Sequence, residues 1–531
     1  MKRLLLVLAS AAALWSAACS SGGGTTVLPP PAGKFSNSSL NGTYAFVSNG
    51  EVATSGGTGV LARTGSFTAD GSGGIMAGGV EDTVTQSGTG TLVNPDLTIT
   101  GGGYSVGADG RGSLTLNISG LSPTTITFGI VLTSTGGGLL IDETFTNTQA
   151  STGSGNFFKQ TTADFTNPVL PTVATYVFDF FGLDGTGAPA SLVGEFTAGS
   201  GSVSAGFEDV NDNFTLTNGN IAAGGTLVAD PAAPATLTSN GRGLATIAGE
   251  QYYFYVVDTT RIRFISISGG VMLTGDAVVQ TNPPASLSNG FAFLVAGSSA
   301  LGGLTRAGRF SANGTAVTNV LVDTNNNGSF VQTSGATQAS VTMDPANPGR
   351  GTVTFLGNGL GTPFTFVFYL SSATSGVIQE TTQANGLVAA VADGTIGGQT
   401  GNPFSSSNIT GTYALNWTGL SLQSGVADEE DVVGQVTASN LALTGAADIF
   451  QFQNVNGPQT DNAVTGSILF NGGDGTGGDG KRSTMAVTLT KNGQATTVNF
   501  VVYFINPQLA LFANTSTSST RIVAGALELQ P

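Results

Sequence analysis

Four times along the chain a glycine is followed five residues later by a glutamine: Gly155 and Gln160, Gly275 and Gln280, Gly394 and Gln399, Gly525 and Gln530. Three further landmarks recur in one order. An aromatic pair at i and i+2 opens each unit, as Tyr44 and Phe46, Tyr176 and Phe178, Phe291 and Phe293, and Tyr413 with Leu415 and Trp417. Gly-x-Phe/Val-Thr/Ser-Ala follows at Gly65 to Ala69, Gly194 to Ala198, Gly308 to Ala312 and Gly434 to Ala438. Gly-Arg-Gly stands in mid-unit at Gly110, Gly241 and Gly349, with Gly480-Lys481-Arg482 as the divergent fourth. Repetition of this kind means that one supersecondary design was copied. The units fall at 35–160, 161–280, 281–399 and 400–531.

Within a unit the pattern is that of short strands. Asp109-Gly110, Asn240-Gly241 and Asp479-Gly480 suit type I′ hairpin tips, and runs such as Leu114, Leu116, Ile118 or Met485, Val487, Leu489 alternate with a period of two. No helical period is long enough to cross over a parallel sheet, so the strands pair antiparallel as a meander of about eight to ten. An all-β fold is expected, four tandem units each closed as a small up-and-down β-barrel, which removes sheet edges; two-sheet β-sandwiches are the alternative.

Composition narrows the chemistry. The 531 residues exceed one core, and 40% are hydrophobic, too many for disorder. With no histidine, a Ser-His-Asp triad has no base, and Gly103-Tyr104-Ser105-Val106-Gly107 spells a nucleophile elbow on a strand, without the helix an elbow needs. Without histidine or a second cysteine, zinc, copper and non-haem iron lose their preferred ligands, and no cofactor is expected. The formal charge of −16 and the lack of a basic cluster after residue 3 argue against nucleic acid.

Met1-Lys2-Arg3, the apolar run Leu4 to Trp15, and Ser16-Ala17-Ala18 before Cys19 have the three-part layout of a secretory signal, with residues 1–18 as the leader. The segment resembles a bacterial lipoprotein lipobox, with Ser16 where the family usually has leucine. The resemblance implies cleavage after Ala18, acylation of Cys19, and a membrane contact through the lipid anchor. Residues 19–34, with three glycines and three prolines in runs, read as a tether. Leader, tandem units, Gly-Thr-Tyr-Ala-Phe opening and Asp-Gly-Arg-Gly turn together resemble uncharacterised surface lipoproteins of environmental Gram-negative bacteria. This implies an outer-membrane lipoprotein of the cell envelope and no reaction.

Candidate sites come with simpler readings. Asp323, Asn325 and Asn327 are spaced like the start of a calcium loop, echoed by Asp209, Asn211 and Asn213, but position twelve is Ser334 and Asx turns explain both. Asp474 to Asp479 reads as a glycine-rich hairpin loop. Tyr44, Tyr176 and Tyr413 could face an apolar or sugar ligand inside each barrel, or simply fill it. Glu208 with Asp209 and the run Asp428 to Asp431 are the densest acids, from which a carboxylate glycosidase is the third alternative; the second run reads as an exposed loop. Arg111, Arg242 and Arg350 recur at one position, as ligand-facing charges or as hairpin flanks. The favoured expectation is a non-catalytic, lipid-anchored envelope protein with a structural or interaction role and a protein or glycan partner. A small-ligand barrel stands second.

Overall fold

The computed structural model describes residues 35–531 apart from 55–56, 89, 122–123, 134–135, 147–149, 230–238, 335–337, 357–362, 385–386, 401–403, 406, 408, 424–425, 453–456, 471–481, 492 and 516–520. Cys19, the leader and tether, and the Asp474–Asp479 loop lie outside the described residues.

The first unit is a meander of β1 (Asn41–Thr54), β2 (Gly57–Asp70), β3 (Gly74–Ser87), β4 (Gly90–Val106), β5 (Arg111–Ile118), β6 (Thr125–Leu132), β7 (Gly137–Asp142) and β8 (Ser154–Lys159), in which each strand pairs antiparallel with the next and β8 returns to β1. It is a closed barrel, as is the fourth unit, from Gly411–Gln423 to Arg521–Leu529. The second and third units close in the same order, from Ala174–Leu183 to Met272–Val279 and from Ser288–Ser299 to Ala390–Gly398. Their fourth strand is split, into Thr215–Ile221 and Gly225–Ala229, and into Ser329–Ser334 and Gln338–Met343.

The register explains three of the landmarks. The first aromatic of each opening lies opposite the aromatic or valine of Gly-x-Phe/Val: Tyr44 faces Phe67, Tyr176 Phe196, Phe291 Phe310, and Tyr413 Val436. In the first three units the rings stack at centroid distances of 5.5, 5.7 and 5.6 Å, a geometry worth about 0.5–1.5 kcal/mol beyond the area buried. The second aromatic faces the glycine of the same motif, and its ring lies where a Cβ would be: 2.6 Å from it at Gly65, 2.7 Å at Gly194 and 2.5 Å at Gly308. The closing glycine is equally forced. A Cβ at Gly155, Gly275, Gly394 or Gly525 would come within 1.8, 1.7, 2.2 or 1.9 Å of a carbonyl oxygen on the unit's first strand.

The expected type I′ tips are corrected. Of Asp109 and Gly110 only the glycine has positive φ, +84°, and of Asn240 and Gly241 only the glycine, +69°. A type I′ turn needs two such residues; here Asp109 instead accepts from the Arg111 amide, an Asx turn.

Candidate functional site

The four barrels form a closed ring, and the recurring arginine welds each barrel to the one before it. Arg242 donates from Nε and Nη2 to Asp82 of the first unit at 2.9 and 2.8 Å, and Tyr255 Oη donates to the same carboxylate at 2.6 Å. Arg350 and Tyr369 engage Asp209 of the second unit at 2.8, 2.8 and 2.5 Å. Arg482 donates to Asp323 of the third at 2.8 and 2.9 Å, joined by Tyr503. In the ladder Arg242 lies opposite Tyr255, Arg350 opposite Tyr369 and Arg482 opposite Tyr503, so Arg482 is the true fourth copy although the motif around it has drifted. The fourth boundary is different. Arg111 lies opposite Val131 and donates to Asp461 at 2.8 Å, with Asp448 at 3.8 Å.

These contacts are bidentate and charge-assisted, and the first is deeply buried: the Arg242 and Asp82 side chains are 0% and 1% exposed. Burial opposes the charge on Arg242, but hydrogen bonding to Asp82 outweighs it and the guanidinium is held above its ordinary range. Burial, reinforced by Asp82, pushes the Tyr255 hydroxyl far up, so it stays a donor.

The closing glutamine makes the second weld. Gln160 Nε2 donates to the carbonyls of Asn240 and Val256 in the next unit, Gln280 to Pro348 and Leu370, and Gln399 to Phe504. Gln530 donates to Asp109 and Leu132 of the first unit and closes the circle. Its amide lies 2.7 Å from where a Cβ on Gly110 would be; Gly241 and Gly349 make the same room for Gln160 and Gln280, at 2.9 and 2.6 Å.

The calcium-loop candidates belong to this joint. Asp323 lies within strand Ala316–Asn326, and both its oxygens accept from Arg482. Asn325 donates to Asn514 and to the Arg521 carbonyl in the fourth unit. Asn327, at φ +49°, turns the chain. Asp209 and Asn211 repeat the arrangement, Asn211 donating to the Glu380 and Ala390 carbonyls, and Asn213 turns the chain at φ +46°. Sequence reasoning saw the echo and missed the acid–arginine pairing across units, for which that echo was the available signal.

Tyr44, Tyr176 and Tyr413 are 2%, 1% and 2% exposed within the three barrel cores. Tyr176 Oη donates to the Thr259 carbonyl and Tyr413 Oη to that of Pro507, both at 2.8 Å. Glu208 and Asp209 point to opposite faces; Asp209 goes to the joint, and burial pushes Glu208 up to about 7. Asp428 to Asp431 are not an exposed loop. They lie in strand Val426–Ser439, all four buried. Glu430 pairs with Arg521 inside the barrel, while Asp431 accepts from Thr152 of the first unit at 2.7 Å.

The ring axis is polar. Asn49 donates to Thr274 at 2.7 Å, Asn416 to Ser154 at 3.3 Å, Arg263 to Asn156, and Ser191 to Asp393 at 2.5 Å, each across a unit boundary. Asp179 and Asp393 face each other between the second and third units, where burial pushes both carboxyls up. Burial raises Asp431 to about 7 and, at the fourth unit's closing strand, Glu528 to about 7. At one end of the axis a cavity of 460 Å³ is walled by all four units.

No family model and no curated protein matches the chain. Among solved structures, a variant of transferrin binding protein B from Haemophilus parasuis Hp5 is 12% identical over 74% of this chain and 83% of that one, with a TM-score of 0.20. The isotype 1 protein of the same name from serogroup B Neisseria meningitidis is 9% identical over 76% and 85%, with a TM-score of 0.19. Scores this low establish no shared fold and carry no functional relationship.

Proposed function

We propose that this chain is an exported, lipid-anchored, non-catalytic protein of the bacterial cell envelope, in which four barrels act as one rigid scaffold for a protein or glycan partner. The observation that carries this reading is the closure of the ring. Thirteen of the recurring polar side chains, including Asp82, Asp209, Asp323 and the four closing glutamines, are spent on boundaries between units, and buried polar networks of this kind confer shape. The barrel interiors hold stacked rings and aliphatic side chains, which favours a scaffold over a carrier with a ligand in each barrel. Anchorage rests on Cys19 and the leader that precedes it. Among the described residues no helix is long and apolar enough to cross a membrane.

The experiment is metabolic labelling with radioactive palmitate in a Gram-negative host, with Cys19→Ser as control, followed by membrane fractionation. Label on the wild type that is lost in the variant, together with membrane recovery of the wild type alone, is the expected result. Unlabelled protein in the cytoplasmic fraction would defeat the reading.

A further inference from the structure

We propose that the cavity at the meeting point of the four barrels binds a small organic monoanion, a carboxylate with a short apolar body, and that Arg261 is its anchor. The cavity measures 460 Å³, and Phe158, Arg261, Thr374 and Leu509 represent the four units in its wall. Size and mixed lining are those of a small-molecule site.

Arg261 differs from the arginines of the joints. Arg242, Arg350 and Arg482 each meet a carboxylate bidentately. The Arg261 side chain is 7% exposed, yet its Nη1 is buried without a hydrogen-bond partner. The nearest acid oxygen, on Asp276, is 3.8 Å away, and Asp276 is shared with Arg263 at 3.4 Å. Arg261 is held instead by Phe158, with Cζ 4.3 Å from the ring centroid. A buried donor without an acceptor is costly, and a ligand carboxylate supplies two oxygens at the spacing of the guanidinium fork.

The surroundings select the class. Asp258 lines the cavity, Asp276 stands beside Arg261, and Glu528 interacts with it electrostatically from the fourth unit, opposed by Lys159 and Arg263. One added negative charge is matched by Arg261, whereas a dianion meets the neighbouring carboxylates. Val278, Ile396 and Ile505 offer apolar wall to a hydrocarbon body.

The test is calorimetric titration of the whole folded protein with octanoate and, separately, inorganic phosphate. Octanoate should bind with phosphate at least about tenfold weaker, and Arg261→Met should weaken octanoate by about tenfold or more, with Arg261→Lys between. Thr374→Trp, which fills the mouth and leaves the guanidinium in place, should also abolish binding, and it carries the test should Arg261→Met fail to fold. Undiminished octanoate binding to Arg261→Met or to Thr374→Trp, or no binding to the wild type at millimolar octanoate, would overturn the site. Equal binding of phosphate would overturn the class.

Discussion

Gln530 donates its side-chain amide at 2.8 Å to the carbonyl of Leu132, 398 residues earlier. The same amide reaches the carbonyl of Asp109. The fourth barrel is thereby joined to the first by the device that joins every other neighbouring pair. Gln530→Ala should loosen this boundary first, because it lacks the tyrosine that Val131 replaces. Hydrogen exchange should show faster amides in β5 and β6 with the second and third barrels unchanged, at a cost of about 1–3 kcal/mol for the carbonyls left buried.

The arginine joints are predicted to be asymmetric under mutation. Asp323→Ala leaves the Arg482 guanidinium, 10% exposed, without its acid, and should cost about 3–5 kcal/mol in denaturant unfolding. Asp323→Ala with Arg482→Met should recover a large part of that loss. Equal losses in the single and double variants would mean that the pair contributes shape alone.

The axis should make stability depend on pH in the alkaline direction. Asp179, Asp393, Asp431 and Glu528 have folded-state pKa values above the ordinary carboxylate range, Asp431 and Glu528 at about 7. A group raised in this way gives its full contribution below the unfolded pKa and loses it as pH rises through the folded one. Stability, read as melting temperature, should therefore fall as pH rises from about 4 through about 8, and above pH 6 the loss should be about 1–2 kcal/mol for each of Asp431 and Glu528. Asp393→Asn, which cannot ionise, should flatten the profile; an unchanged slope would count against a role for that acid.

Gly241→Ala should be destabilising by about 1–3 kcal/mol in thermal melts, for two reasons at one position. Its φ of +69° disfavours a side chain, and the new Cβ would lie 2.9 Å from the Gln160 amide. Gly219→Ala, with nothing within 4 Å, is the matched control and should be close to neutral.

The landmarks and their order were legible in the sequence because each answers to backbone geometry: Gly65 makes room for the Phe46 ring, and Gly155 for a carbonyl on β1. The all-β class followed from the period-two runs, while closure was expected only from the need to remove sheet edges, with a two-sheet sandwich as the alternative and a strand count of about eight to ten. The joints were not legible. Asp323 and Arg482 are 159 residues apart, and the local spelling around Asp323 fits an Asx turn as well as an interface. Asp428 to Asp431 misled for a related reason: four successive acids read as solvated, and only packing against Thr152 and Arg521, from another unit and another strand, makes their burial tolerable. Arg261 carried no signal, since its role depends on four chain segments meeting at one point.

Closure also sets a number. An open array of repeats can gain or lose a copy by recombination, since each end meets only solvent. Here both ends are already taken: the Phe35 ring and the Gln530 amide crowd the same Gly110. A fifth copy or a missing one would have to change the angle between all neighbours at once, so descent by unequal crossing-over should leave the count at four while the loops drift freely.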